Sequence, residues 1–171
     1  LCGKEEILRQ LVGQQYPAER LEIVPASEVI ETGDVPVVSV RKKKDSSLVV
    51  GMKLIREERA DAFVSAGNSG AILVGGQVLV GRLPGVERAP FAPLIPTEDG
   101  GVTLLLDSGA NVDAKAAHLV QFAEMGSLYM EKALGIEKPR VAILNVGVEE
   151  EKGNALVKET MPLLKECKDI N

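Results

Sequence analysis

Asp107, Asn111 and Asp113 gather around Gly109 in Leu104-Leu-Leu-Asp-Ser-Gly-Ala-Asn-Val-Asp113, where an apolar run stops at a carboxylate and helix-forming residues follow. The carboxylate can orient nearby donors, the amide can donate or accept, and the glycine lets backbone turn tightly or approach a ligand. A second stretch, Ser65-Ala-Gly-Asn-Ser-Gly70, sets Ser65, Asn68 and Ser69 between Gly67 and Gly70, ahead of an apolar helical run. Unpaired N–H groups at such a helix start favour an anion such as phosphate. The pattern is neither a Walker loop nor a G-x-G-x-x-G fingerprint. A third stretch, Leu144-Asn-Val-Gly147, continues to Lys152-Gly-Asn154, so that Asn145, Gly147, Lys152 and Asn154 could reach a ligand. His118, the only histidine, follows in the first turns after the Asp107 loop. Any one of these loops reads equally well as an ordinary capped turn. Their convergence on one rim is what points to an active site.

The elements that would position these loops alternate strand and helix. Leu1-Cys2-Gly3 reads as the tail of a strand, and Lys4 to Gln15 as a flanking helix with Ile7, Leu8, Leu11 and Val12 at helical spacing. Leu21 to Val24 reads as a short strand, and Pro25 to Val40 as a loop holding a short helix at Val37 to Val40. Asp45, Ser46 or Ser47 caps a helix over Leu48 to Arg59. Asp61 to Ser65 and Pro139 to Gly147 read as strands, with apolar helices after each. Gly75-Gly76 inside the helix from Ala71 to Val80 implies close packing against another backbone. Ala89 to Thr97, with its three prolines, should run at an edge and pair through Glu98-Asp-Gly-Gly101 with the strand Thr103 to Leu106, which otherwise reads as a central parallel strand buried on both faces. A helix over Ala114 to Leu134, with Leu119, Phe122, Ala123 and Tyr129 inward, ends at Gly135, and a last helix ends near Cys167. The expected class is α/β with a mostly parallel sheet. The sheet's carboxyl rim carries the three loops, which is where ligands bind in open α/β sheets.

With 171 residues and 45% hydrophobic content, a single domain with one core is the prior. The turn-like Lys168 to Asn171 and the strand tail at Leu1 lead us to expect that this domain is incomplete at both ends. A net charge of −5 argues against a nucleic-acid partner. Cys2 and Cys167 have no metal spacing, so neither a zinc site nor a disulfide framework is expected and a reducing cytoplasmic setting fits. No apolar run is long enough for a membrane span, which leaves surface attachment open. Arg41-Lys42-Lys43-Lys44 is the one dense basic run: either a solvated face, or a dock for an acidic or phosphate-bearing partner.

Over essentially its whole length the chain resembles the bacterial phosphate acyltransferases of phospholipid synthesis. The likeness rests on the three loops above, in order and spacing, together with Arg41-Lys-Lys-Lys-Asp-Ser-Ser47 and Gly81-Arg-Leu-Pro-Gly85. That family is longer at both ends. Ser108 stands where it usually has Val, and Ala155 where an acidic residue usually follows Gly-Asn. The resemblance implies a three-layer α/β/α Rossmann-like sandwich similar to phosphotransacetylase and isocitrate dehydrogenase-type enzymes. It also implies a cytoplasmic homodimer that associates peripherally with the membrane, and an enzyme that makes acyl-phosphate from acyl-acyl carrier protein and inorganic phosphate without metal or cofactor.

Such a reaction needs an anion held, a carbonyl oxygen stabilised and a thiolate helped to leave. On that footing Ser65, Gly67, Asn68, Ser69 and Gly70 bind phosphate or acyl-phosphate with help from Lys152, while Gly109, Gly147 and Asn154 line the substrate. Asn111 and Asn145 are amide donors around the reacting carbonyl and Asp107 orients them. His118 or Lys152 protonates the leaving sulfur, and Arg41, Lys42, Lys43 and Lys44 dock the acidic carrier protein. Two other classes fit the same loops: a phosphotransacetylase-like transfer using coenzyme A, and a non-catalytic module that binds a phosphate ligand.

Overall fold

A computed structural model describes residues 1–13, 19–149 and 151–171. It is of the α/β class and divides into two compact units, residues 1–84 and 85–171.

In the first unit, β1 (Cys2–Gly3) pairs in parallel with β2 (Val24–Pro25), joined through α1 (Glu5–Val12). The expected helix extended to Gln14 and Gln15, which lie outside the described residues; the expected strand from Leu21 is paired only at Val24–Pro25. Pro36, whose fixed φ suits a first helical position, opens α2 (Pro36–Lys42), so half of the basic run is helical. Among the three candidate caps it is Ser46 that starts α3 (Ser47–Arg56): its Oγ accepts from Val49 N at 3.4 Å and donates to Lys43 O at 2.7 Å. Val49, Leu48 and Met52 then meet Ile30, Val40 and Ala71 to form the core, with Phe63, Ile72, Val74 and Leu79 around it. Each such fully buried side chain contributes about 1.5–3 kcal/mol.

α4 (Ser69–Gly75) passes without a break into a π-helical turn, Gly76–Val80, closed by Gly81 N bonding Gly76 O at 2.9 Å. Of the two adjacent glycines only Gly75 is tightly packed, and against the Met52 side chain rather than a backbone; a side chain at Gly76 would meet open space. Asp61 to Ser65 carries no strand pairing among the described residues, and Val64 is 93% exposed. A parallel strand needs a partner distant in sequence, since no local turn can supply one.

Lys43 joins the loop before α2 to the helix end. Its Nζ lies 2.5 Å from Asp34 Oδ2 and 2.7 Å from Val29 O, while Glu31 N donates to the same Asp34 oxygen at 2.9 Å. The Lys43 bond first, then the Glu31 N–H, hold the Asp34 carboxyl below its ordinary range against a small opposing effect of burial. A carboxyl depressed on folding stabilises above its unfolded value and loses that contribution as pH falls through the folded one. We therefore expect Asp34→Asn to melt below the parent at neutral pH. The gap should close as pH drops below an ordinary carboxyl value of about 4. Melting temperatures of both proteins across that range check this, and a gap constant with pH would show that the charge is not the cause.

In the second unit the hairpin is present: β3 (Leu94–Pro96) pairs antiparallel with β4 (Val102–Leu104), Leu94 opposite Leu104 and Pro96 opposite Val102. Asp99 Oδ1 fixes the turn by accepting from Thr97 Oγ1 at 2.5 Å and Gly101 N at 3.2 Å, and Gly100 supplies the positive φ of 81°. The reading of Thr103 to Leu106 as a central parallel strand is corrected here. Pairing stops at Leu104, it is antiparallel, and Thr103 is exposed, because the tight local turn brings the nearest partner back alongside. Leu106 instead packs on α5 (Ala116–Leu134) at Gly126, where any side chain on the helix would collide with it.

α5 ends at Gly135 with φ 69°, the left-handed cap expected, and packs along α6 (Ala155–Glu166). Its buried stripe is His118, Phe122, Gly126 and Met130, one residue every four, so Tyr129 is 47% exposed rather than inward. The segment from Pro139 to Gly147 likewise lacks strand pairing among the described residues, with Leu144 84% exposed. The described strands thus form two separate two-stranded sheets.

Candidate active site

The Asp107 loop is built as one hydrogen-bonded unit. Asp107 Oδ1 accepts from Phe91 N at 2.7 Å, and its Oδ2 accepts from Asn111 N at 2.6 Å and Asn111 Nδ2 at 3.1 Å. Asn111 Nδ2 also donates to Ala89 O at 3.1 Å, and Ser108 N to Phe91 O at 3.1 Å. Loop and Ala89–Phe91 strand entry are thereby held together, and Gly109 takes the positive φ of 86° that lets the loop close. Both amide hydrogens of Asn111 are used inside this unit.

His118 sits at the third position of α5, 5% exposed. Its Nδ1 accepts from Lys115 N at 3.1 Å, and its Nε2 lies 3.0 Å from Glu87 Oε2. With Nδ1 accepting from a backbone N–H, Nε2 is the ring nitrogen left to donate to Glu87. Glu87 is a site residue that sequence reading missed. It lies 31 positions from His118, and an exposed Glu before an Arg gives no local sign of a histidine partner. Gln121 straps the same segment down, accepting from Glu87 N at 3.1 Å and donating to Gly85 O at 3.0 Å.

The third loop is also self-contained. Asn145 Nδ2 donates to Gly147 O at 3.3 Å and to Lys152 O at 3.2 Å, folding the chain so that Lys152 lies over Gly147, where a Cβ would come 2.5 Å from its Cδ. Lys152 Nζ is 3.0 Å from Glu149 Oε1, both side chains about half exposed (50% and 53%). That lysine is the main cause holding the Glu149 carboxyl below its ordinary range. Glu149 and Glu151 were read as a helix start together with Glu150, which lies outside the described residues; the helix begins later, at Ala155, with Asn154 as its cap accepting from Val157 N at 2.9 Å. Gly153, at φ 103°, makes the turn between Lys152 and that cap.

The Ser65 to Gly70 loop belongs to the first unit. Ser65 is exposed and its Oγ accepts from Gly67 N at 3.1 Å; Ser69 is exposed at the first position of α4. Asn68 is turned inward. Its Oδ1 caps α4 by accepting from Ala71 N at 2.9 Å, and its Nδ2 donates to Glu31 O and Thr32 O at 3.1 Å and to Asp34 O at 3.0 Å. Gly70 allows this helix start to pass Pro36, whose Cγ would lie 2.7 Å from a Cβ. Arg41, Lys42 and Lys44 are exposed, whereas Lys43 is committed to Asp34 and Val29 O. Among the described residues no cluster of His, Cys, Asp or Glu could hold a metal ion, and no helix is long and apolar enough to cross a membrane.

Against known proteins, the family described as "Fatty acid synthesis protein" matches residues 1–171. A phosphate acyltransferase from Brevibacillus brevis is 53% identical over 171 residues, covering 100% of this chain and 50% of that protein. One from Thermoanaerobacter pseudethanolicus is 51% identical over 168 residues (98% and 49%), and one from Alkaliphilus oremlandii 49% identical over 167 residues (97% and 50%). The chain spans about half the length of the curated relatives it matches.

Proposed function

Because this chain belongs to the fatty acid synthesis protein family, which matches it from end to end, we propose that it is part of an acyltransferase that moves a fatty acyl group from acyl carrier protein to inorganic phosphate. The product is acyl-phosphate for phospholipid synthesis. The observation that carries this reading is the identity of about half, over nearly the whole chain, with proteins named phosphate acyltransferase. In the same reading the protein is a cytoplasmic homodimer that touches the membrane surface, and the complete fold is the three-layer α/β/α sandwich that the resemblance implies.

In the reaction a phosphate oxygen attacks the thioester carbonyl carbon, the C–S bond breaks, and the thiolate takes up a proton. Lys152 is the group suited to the phosphate, since its Glu149 partner is exposed and an incoming dianion can take Glu149's place. Asn145 positions it by holding the Lys152 carbonyl. Asp107 and Asn111 keep their own loop in shape for the acyl carbonyl. Proton delivery falls to the Lys152 ammonium or to His118 in its imidazolium form, for which Glu87 is the orienting carboxylate. In the first unit the hydroxyls of Ser65 and Ser69 are the groups left free to meet an anion, with Asn68, Gly67 and Gly70 shaping their loop.

In the complete protein we expect Lys152→Ala to lower acyl-phosphate formation about tenfold, some 1.4 kcal/mol of transition-state stabilisation, with an unchanged circular dichroism spectrum. Near-normal turnover at saturating phosphate would reject a catalytic role for the lysine. Running the same assay with acyl carrier protein and with coenzyme A as acyl donor separates the proposed reaction from phosphotransacetylase-like chemistry. Phosphate binding without turnover of either donor would favour a binding module.

A further inference from the structure

The outward face of α2 carries side chains that the first unit does not use. Ser39 and Val40 are buried, Pro36 lies against Gly70, and Lys43 is bonded to Asp34 and Val29 O, so 36, 39, 40 and 43 form the inward stripe at helical spacing. Val35, Val37 and Val38 are 64%, 48% and 46% exposed. Arg41 and Lys42 follow Val37 and Val38 by four residues, so each valine and cation share one face, with exposed Lys44 just beyond the helix end. Cations in a last helical turn are accounted for by the helix dipole alone. Paired exposed valines are not, since β-branched residues are indifferent helix formers and expose apolar surface.

The nearby carboxylates are held by partners inside the first unit, one of them by Lys43. Asp34 is paired with Lys43, Asp45 Oδ2 accepts from Ser27 N and Oγ at 2.8 and 2.5 Å, and Glu28 Oε2 accepts from Asp45 N at 3.0 Å. Lys53, with Nζ 3.4 Å from Lys44 O, sets a cation against the Asp45 carboxylate.

We propose that this face, Val35, Val37, Val38, Arg41, Lys42 and Lys44, docks an acidic amphipathic helix of a partner protein, the valines against its apolar stripe and the cations against its carboxylates. The proposal rests on the function given above, in which the partner is an acidic carrier protein, and adds to it an apolar contact and the exclusion of Lys43. Charge complementarity favours this occupant: in a chain that carries −5 overall, Arg41, Lys42 and Lys44 set three exposed cations together at this helix end, which attracts an acidic protein. The cations govern approach and are screened by salt; the valines hold the complex and are not.

The test uses the complete protein with acyl carrier protein as probe, titrated at low and high ionic strength. The isosteric pair Val37→Thr with Val38→Thr should weaken binding about fivefold at both salt concentrations, an effect of the size expected for contacts near an interface centre. Arg41→Ser with Lys42→Ser should weaken it at low salt and have little effect at high salt. Unchanged binding in the valine pair, or no binding by the parent protein, would overturn the proposal. So would a loss of self-association in the valine pair, which would assign the face to a second copy, or a loss of anionic-vesicle binding with carrier binding intact, which would assign it to a membrane. Turnover is read separately: if no acyl-phosphate forms while carrier binding keeps its dependence on the valines, the proposed reaction fails and the docking face stands.

Discussion

Asn68→Asp should destabilise the first unit more than Asn68→Ala does, although aspartate is the closer match in shape. Asn68 is 8% exposed, caps α4 through Oδ1, and spreads its two amide hydrogens over the carbonyls of Glu31, Thr32 and Asp34. Alanine removes the cap, worth about 1 kcal/mol, and strands carbonyls that the amide had satisfied, for a total of roughly 2–3 kcal/mol. Aspartate keeps an oxygen for the cap but sets a second, anionic oxygen against three carbonyl oxygens, which should cost about 4 kcal/mol. The carboxyl of that variant must therefore titrate above its unfolded value. Its penalty is largest at neutral pH and shrinks as acidification protonates it and restores a donor. Denaturant midpoints of the parent and both variants between neutral and acid pH read all of this. If Asn68→Ala left the midpoint unchanged and abolished turnover, Asn68 would be a ligand-binding residue rather than the tie that its bonds describe.

Asn68 also shows where the sequence was legible and where it was not. That a short polar residue stood at the start of an apolar helix was readable, because capping depends on residues three apart in the chain. That its amide is spent on residues 31 to 34 was not, since nothing in Ser65 to Gly70 encodes which distant carbonyls lie opposite. A cap within Asp45 to Ser47, the Gly135 terminator and the Glu98-Asp-Gly-Gly101 turn are legible for the same local reason. Lys43 reads like its three basic neighbours and differs from them through Asp34 and Val29 O, nine and fourteen residues away. Glu87 had no signal at all. The strands expected at 61–65 and 139–147 fall between these cases. Their apolar patterns are real, but pairing is a property of two segments, and a parallel partner cannot be inferred from one of them. The readable part of the site is therefore its loops; the ties between loops and the rest of each unit are what the structure adds.

The coupling of Asp107 to Asn111 is the prediction on which the organising loop stands or falls. Asp107 receives three N–H groups on two oxygens: Phe91 N on one, and Asn111 N and Nδ2 on the other. Asp107→Asn can present an oxygen to one side only, so its NH2 must confront either the Phe91 N–H or both Asn111 donors. A loss of about 2–3 kcal/mol follows from leaving charge-assisted bonds broken and donors facing donors. Asn111→Ala removes the side-chain bonds to Asp107 and Ala89 O but leaves the backbone Asn111 N in place, so its cost should be smaller, about 1–2 kcal/mol. If the pair acts as one unit, the double variant loses the shared bond only once, and should fall short of the sum of the singles by about 1 kcal/mol. Turnover in the complete protein should show the same shortfall, because a loop already released from Ala89 and Phe91 has little further positioning to lose. Denaturation of all four proteins, beside their acyl-phosphate rates, completes the cycle. Effects that add in stability and multiply in rate would mean that the two residues serve separate ends, and that the bonds joining them are incidental to whatever chemistry the loop performs.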